Sequence, residues 1–242
     1  MKFVSEFALE KEELPIDYRR CILSYLKHCL TQANGGKYFD DYYVPGKEKP
    51  FCFSVVFSTP KFSKDMVQVM SKKMKLVISS ADVKTAFILF SALAAQKGKT
   101  YSLPLGNSMR MVSIRQVKEQ EVHSSRILVK MMEPLCIRNH NKETNKDWYY
   151  SCKDQEAFER ESTRVIKTQL MLAGYSEEQS NVKLVPIDPK MVIIKHYSIN
   201  IECTIGTFIM EGNPEVLNYL LKNGIGSRKS SGFGVAQLMA EE

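Results

Sequence analysis

The chain has 242 residues, of which 44% are hydrophobic and 25% are charged, the balance of a folded globular protein rather than a disordered or fibrous one. It carries 34 Lys and Arg against 27 Asp and Glu, a net charge of +7, and this excess favours a polyanionic partner such as nucleic acid. The sequence opens directly into a strand pattern without a signal-peptide profile, and its longest apolar run, residues 85–95, is too short to cross a bilayer. We therefore expect a cytoplasmic protein without membrane contact.

The first 120 residues alternate between strand and helix patterns. Residues 1–9 predict a strand, and apolar residues at helical spacing predict a helix over 15–33. We expect a loop over 37–50, which is rich in tyrosine and lysine. Strands over 51–58 and 73–80, a helix over 82–95 and a strand over 108–117 follow. This strand-helix-strand-strand-helix-strand order is typical of a ferredoxin-like unit.

The second half repeats the order without a visible sequence repeat. After a polar linker over 118–125, we predict a strand over 126–132, a loop or irregular hairpin over 134–150 and a helix over 154–173. Strands over 182–195 and 197–209, a helix over 214–223 and a final strand from Phe233 complete the chain. We therefore predict an α+β fold of two tandem ferredoxin-like (RRM-like) domains packed side by side, over residues 1–120 and 121–242.

A patterned loop separates the last predicted helix from the last predicted strand. Two Gly-hydrophobic-Gly units, 224–226 and 232–234, bracket a small, polar and basic centre. Glycines allow close approach to the backbone, and exposed N–H groups next to basic side chains form a receptor for phosphate. The predicted RNA-binding residues are Gly224, Gly226, Ser227, Arg228, Lys229, Ser230, Gly232 and Gly234. The helix-to-strand setting does not fit the Walker or dinucleotide patterns.

This loop resembles the glycine-rich signature of the repeat-associated RNA-binding superfamily of CRISPR systems. Within it, the chain looks most similar to the endoribonuclease that cleaves CRISPR precursor RNA, and the tandem ferredoxin-like order agrees. A weaker family feature, a serine before proline at the end of the second domain's first strand, is replaced here by Glu133-Pro134. The resemblance implies metal-independent cleavage within the repeats, by 2′-hydroxyl attack that leaves a 2′,3′-cyclic phosphate, without a cofactor. The implied partner is CRISPR repeat RNA, and the protein would be a monomer or homodimer.

The resemblance also implies a histidine in or after the first helix, with a tyrosine and a lysine nearby. His28 lies at the edge of that helix's apolar stripe, one turn from Tyr25, and histidine suits proton transfer near neutral pH. We expect His28 as general acid, Tyr25 as its partner or base and Lys49 as phosphate stabiliser, with Tyr43 as the substitute if His28 points away. The other histidines, His123, His140 and His196, favour surface or structural roles.

Two further expectations concern metals and function. The six cysteines form no CxxC pair and no carboxylate set has metal-ligand spacing, so we expect reduced thiols and no metal site. The loop after the first helix lacks a histidine, which favours an alternative function: a non-catalytic subunit that holds guide RNA in a CRISPR effector complex. The terminal position of the Gly-rich loop, together with His28, favours the enzyme.

Overall fold

The computed structural model describes residues 1–44 and 49–242, and these form two compact units. The first contains Met1–Glu119 together with Lys195–Ser198, and the second contains Gln120–Ile194 and Ile199–Glu242. The predicted boundary at residue 120 assigns residues 195–198 to the second domain, whereas in the structure they belong to the first unit. None of the helices in the described part of the chain has the length and apolar character needed to cross a membrane.

The first unit contains eight named strands and three α-helices among the described residues. Its strands are β1 (Lys2–Leu9), β2 (Glu13–Pro15), β3 (Cys52–Phe57), β4 (Lys61–Phe62), β5 (Met66–Gln68), β6 (Lys73–Ser79), β7 (Thr100–Leu103) and β8 (Asn107–Val117). Its helices are α1 (Tyr18–Gln32), α2 (Lys37–Tyr43) and α3 (Val83–Ala94). The main sheet has the order β3-β6-β1-β8-β7, and β2, β5 and β4 form a small second sheet.

The main sheet is antiparallel and buries one face. Along β1 the side chains alternate between half-buried and buried, so that Phe3 and Phe7 point into the core. The same register pairs Phe3 with Ile78 of β6 and Phe7 with Met74. Leu26 of α1 and Leu89 of α3, both fully buried, belong to the same cluster. Alternation in the strands and helical spacing in α1 and α3 therefore generate one continuous core.

The second unit repeats this plan with a hairpin inserted after its first strand. Its strands are β9 (Arg126–Met131), β10 (Ile137–Asn141), β11 (Lys146–Tyr150), β12 (Lys183–His196), β13 (Ile199–Glu211) and β14 (Ala236–Glu241). Its helices are α4 (Gln155–Leu172) and α5 (Pro214–Asn223). The sheet order β12-β13-β9-β14 matches the order β3-β6-β1-β8 of the first unit, strand for strand. The α+β fold with tandem ferredoxin-like units is thus confirmed.

Several local predictions need correction. The predicted loop over 37–50 contains the helix α2, where Phe39 stacks on Tyr43 one turn later, while residues 45–48 lie outside the described residues. The final strand starts at Ala236 rather than at Phe233, which is fully buried within the preceding loop. The strand β12 runs through Pro186 and Pro189, because it is an edge strand and an edge tolerates missing donors.

Candidate functional site

His28 lies on the surface side of α1 with its ring half-buried. Its centroid lies 5.2 Å from that of Tyr101, which comes from β7. The Tyr101 hydroxyl lies 2.9 Å from the hydroxyl of Ser24, one helical turn before His28. Tyr101 therefore fixes one side of the imidazole, while the remaining exposure leaves the ring accessible to a ligand.

Tyr25 does not share this accessibility. Its side chain is 3% exposed and packs edge-on against Phe7 and Tyr101, at centroid distances of 5.5 and 5.0 Å. Burial, followed by the proximity of Cys29, raises the pKa of its phenol well above the usual value. The geometry therefore corrects the expected role as base: Tyr25 supports Tyr101 from the core, and Tyr101 in turn contacts His28.

Lys49 and Tyr43 form a separate group. The ammonium groups of Lys49 and Lys27 lie 5.2 and 5.0 Å from the centroid of the Tyr43 ring, within cation–π distance. Partial burial, and then repulsion from Lys27, lowers the pKa of Lys49. The Tyr43 hydroxyl is buried, and burial raises the pKa of this phenol, so that Tyr43 is a platform for two cations rather than a base. Lys27 and His28 are adjacent in α1, so their side chains diverge.

A groove runs along the N-terminal half of α1. It has a volume of about 410 Å³, and its walls combine apolar side chains with a few polar ones. Its lining comes from α1 and the segment before it (Pro15, Asp17, Arg20, Cys21, Ser24) and from β7 with the turn after it (Tyr101, Ser102, Leu103, Pro104). Tyr101 and Ser24 thus belong both to the groove and to the surroundings of His28.

Hydrogen bonds to its backbone hold the Gly-rich loop of the second unit in place. The amide of Gln169, buried on α4, donates to the carbonyl of Gly224 at 2.8 Å and accepts from the N–H of Gly226 at 3.0 Å. The N–H of Ser227 donates to Cys136 at 2.8 Å, and that of Ile225 donates to Gly234 at 2.8 Å. The N–H groups of Ile225, Gly226 and Ser227 are therefore internal donors and are not available to a phosphate.

Two of the glycines serve this internal packing. A Cβ at Gly226 would lie 2.8 Å from the carbonyl oxygen of Cys136, and one at Gly234 would lie 1.9 Å from that of Ile225. Both residues also have a positive φ, 80° and 68°. Glycine is therefore required at both positions by close approach of the protein's own backbone.

Arg228 belongs to a charged cluster at the hairpin β10–β11. Its guanidinium donates to Asp147 Oδ2 at 3.2 Å and to the Tyr149 hydroxyl at 2.8 Å. Asp147 also accepts from His140 Nδ1 at 2.8 Å and from Arg138 at 3.3 Å. Partial burial opposes ionisation of Asp147, but the bonds from His140, Tyr149 and Arg138 outweigh it and lower the pKa of the carboxyl group.

The other central residues of the loop differ in exposure. Lys229 is only 8% exposed, because the 3₁₀ turn Lys229–Ser231 folds it inward, which corrects the expectation of two free cations at the loop tip. Ser227 and Ser230 are half-buried. The accessible polar side chains of the loop are thus those of Ser227, Arg228, Ser230 and Ser231.

The remaining histidines and Tyr197 divide between surface and structure. His123 and His140 are exposed, whereas His196 is fully buried and lies 2.9 Å from Asp17. Tyr197 is 48% exposed, and the centroid of its ring lies 4.8 Å from the guanidinium of Arg20. All six cysteines are free thiols.

Comparisons with known proteins identify the family. The model of "CRISPR associated protein Cas6, C-terminal" matches residues 117–238, about half of the chain. The structure is similar to that of a Cas6-related protein from Pyrococcus furiosus, with a TM-score of 0.85 and 16% identity over 100% of this chain and 99% of that one. It is also similar to "an RAMP protein binding different RNA substrates" (TM-score 0.82, 17% identity, coverage 99% and 100%) and to a CRISPR associated protein Cas6 (0.77, 15%, 99% and 99%). The sequence matches none of the curated proteins with which it was compared.

The chain belongs to the Cas6 family of CRISPR-associated proteins. The structural similarities, at 17% identity or less, show that it shares the fold over its whole length. Residues 117–238 include the Gly-rich loop, so the family match covers the motif on which the resemblance was based.

Proposed function

We propose that this protein binds CRISPR repeat RNA and cleaves it without a metal ion, through attack of the 2′-hydroxyl on the adjacent phosphorus. The observation that carries the proposal is the half-exposed imidazole of His28, held on one side by Tyr101, a residue that also lines the groove along α1. The proton of the attacking 2′-hydroxyl passes to a solvent water, and His28 protonates the departing 5′-oxygen as the bond from phosphorus to that oxygen breaks. Lys49 and Lys27, gathered on Tyr43, supply positive charge to the RNA backbone.

RNA binding in this proposal involves the second unit as well. Ser227, Arg228 and Ser230 contact the RNA, while the glycines, Gln169 and Lys229 maintain the loop. A solved relative described as an RNA-binding RAMP protein has the same fold, which supports RNA as the ligand class. The net charge of +7 is also consistent with a polyanionic partner.

The test is cleavage of repeat RNA in the presence of EDTA. We expect a defined cut whose upstream fragment ends in a 2′,3′-cyclic phosphate. RNA with a 2′-deoxy nucleotide at the cleavage position should bind normally and remain intact, because the nucleophile is missing. Cleavage of the deoxy substrate would indicate attack by water, and activity that only magnesium restores would indicate a metal-dependent nuclease.

A second function is a non-catalytic RNA-binding subunit of a CRISPR effector complex. The buried hydroxyls of Tyr25 and Tyr43 favour it, because neither phenol is placed to take a proton from RNA. On this alternative, repeat RNA would bind with an affinity that falls steeply with salt, but no cut would appear under any metal condition.

A further inference from the structure

We propose that the groove along α1 is a binding site for one nucleotide of the RNA, next to the phosphate that is cleaved. The proposal rests on the proposed function and extends it, because it assigns a subsite to residues outside the Gly-rich loop. Its ligand is a single ribonucleotide whose base enters the groove and whose phosphate lies toward Arg20.

The position of the groove on α1 is the first argument. Cys21, Ser24 and His28 are separated by three and four residues, so they follow one face of the helix. Cys21 and Ser24 line the groove, and His28 comes one turn further, about 6 Å along the axis. Tyr101 joins the two regions, since its ring contacts His28 and its hydroxyl lies 2.9 Å from that of Ser24. A nucleotide in the groove therefore lies beside the imidazole.

Size and lining form the second argument. A volume of about 410 Å³ lies in the range of roughly 300–1,000 Å³ typical of small-molecule sites, enough for one nucleotide but not for several. Pro15, Leu103 and Pro104 provide apolar wall. The thiol of Cys21 adds a neutral surface, because burial, and then the charge of Asp17, raises its pKa to about 11. Ser24, Ser102 and Tyr101 add hydroxyls that could hydrogen-bond a base edge or a ribose.

The charge at the groove favours a phosphate despite the presence of one carboxylate. Asp17 is engaged: its two oxygens accept from His196 Nδ1 at 2.9 Å and from the N–H of Tyr197 at 2.8 Å, and its side chain is 14% exposed. The side chain of Arg20 is 52% exposed, and its guanidinium lies 4.8 Å from the centroid of the Tyr197 ring and 3.9 Å from Asp17. The group presented to solvent is therefore the cation. The ammonium group of Lys11 lies close to Gly106, in the turn beyond Pro104, and adds a second positive charge there.

The experiment combines a groove-filling variant with modified RNA. Ser24 is exposed on α1, so Ser24→Trp should fill the groove without disturbing the core. Ser91→Trp, at an exposed position of α3 outside the groove, is the matched control. A set of repeat RNAs is prepared, each with one abasic site at a different position around the cut. The affinity and the single-turnover cleavage rate of each RNA are then measured with each protein.

We expect one abasic position next to the cut to weaken binding to the wild-type protein on the order of tenfold, the contribution typical of one base contact. Ser24→Trp should weaken binding of intact RNA by a similar factor and should show no further loss with that abasic RNA. Ser91→Trp should behave as wild type. Arg20→Gln should reduce the slope of log affinity against log salt by about 0.7, the value for one phosphate contact on a single strand.

Several outcomes would overturn the proposal. Normal binding by Ser24→Trp, or equal tolerance of abasic sites at every position, would show that the groove is empty in the complex. Ser24→Ala removes the hydroxyl without filling the groove, so a loss as large as that of Ser24→Trp would assign the effect to the bond with Tyr101. If the wild-type protein neither binds nor cleaves repeat RNA, the proposed function fails and this subsite fails with it; normal wild-type activity with an insensitive Ser24→Trp rejects the subsite alone.

Discussion

His28 is more exposed than Tyr25 and Tyr43, the two tyrosines considered for proton transfer in its place. Its ring is half-buried, whereas the hydroxyls of Tyr25 and Tyr43 are withdrawn from solvent. If His28 is the general acid, His28→Ala should lower the single-turnover cleavage rate by ~10²–10⁴-fold. Affinity for RNA should change little, because phosphate contacts dominate it. Near-normal cleavage by a folded His28→Ala protein would transfer the role to the Lys27–Tyr43–Lys49 group.

Arg228 and Lys229 are adjacent basic residues, but we expect their substitutions to affect RNA affinity and stability differently. Arg228 is half-buried and reaches the hairpin cluster, while Lys229 is 8% exposed. Arg228→Gln should flatten the salt dependence of RNA affinity by about 0.7 in slope. It should also lower the melting temperature modestly, because the bonds to Asp147 and Tyr149 are lost. Lys229→Gln should lower the melting temperature, with any loss of affinity following from the fold. Equal salt slopes for wild type and Arg228→Gln would exclude Arg228 as a phosphate contact.

Asp147 supplies a pH-dependent prediction. Its folded-state pKa lies below the ordinary value of 3.8, so the stability that it contributes is present above pH 3.8 and is lost as the pH falls through the folded-state pKa. Asp147→Asn should therefore cost about 1.5–3 kcal/mol at pH 7, the value of hydrogen bonds to a charged group. The difference from wild type should shrink as the pH falls below 3.8. Melting temperatures at pH 7 and pH 3 test this, and an equal difference at both would assign the effect to packing.

The sequence predicts single residues well only where the signal is local. The helical wheel places His28 at the edge of the apolar stripe of α1, as the structure does. Tyr101 was missed because its contact with His28 spans 73 residues, although Pro104-Leu105-Gly106-Asn107 is a turn signal after a short alternating run. The pairing of Asp147 with Arg228, 81 residues apart, has no local signature at all.

At the scale of elements, the Gly-rich loop is a folded connection rather than an open cradle. Gly234→Ala would place a Cβ 1.9 Å from the carbonyl oxygen of Ile225, whereas Gly98→Ala meets no atom within 4 Å. Both glycines have a positive φ, 68° and 80°, so both variants incur the left-handed penalty of about 1–2 kcal/mol. We expect Gly234→Ala to lower the melting temperature clearly more than Gly98→Ala does. Equal shifts would mean that the loop relaxes around the added methyl group.

Elements with strong periodicity were predicted, and elements defined by distant partners were not. The strands of both main sheets other than β7, and the helices α1, α3, α4 and α5, follow from their patterns. The composition of residues 37–50 predicts a loop where α2 lies, although Tyr38 and Tyr42, like Phe39 and Tyr43, have the spacing of four residues that marks one helix face. The short strands β2, β4 and β5 exist only because they pair with one another, which no local pattern encodes.

At the scale of the whole molecule, the first unit is discontinuous in sequence. Lys195–Ser198, which covers the end of β12 and the turn to β13, belongs to the first unit. In this segment, His196 and the N–H of Tyr197 donate to Asp17. Asp17 precedes α1 at the N-cap position but makes no side-chain cap bond to the helix. A carboxylate in that position would be read from sequence as a helix cap. The structure assigns it instead to a contact almost 180 residues away.

This discontinuity predicts how Asp17 behaves in two forms of the chain. In the full chain, Asp17→Asn weakens bonds to His196 and Tyr197 and should cost about 1.5–3 kcal/mol. In a fragment of residues 1–119 those partners are missing, so the same substitution should cost almost nothing there. Asp82→Asn is the control, because Asp82 caps α3 through the N–H groups of Lys84 and Thr85, all within the fragment, and should cost the same in both forms. Denaturant unfolding of wild type, Asp17→Asn and Asp82→Asn, each as full chain and as fragment, gives these free-energy differences directly. If Asp17→Asn costs the same in the fragment and in the full chain, residues 195–198 add nothing to the stability of the first unit.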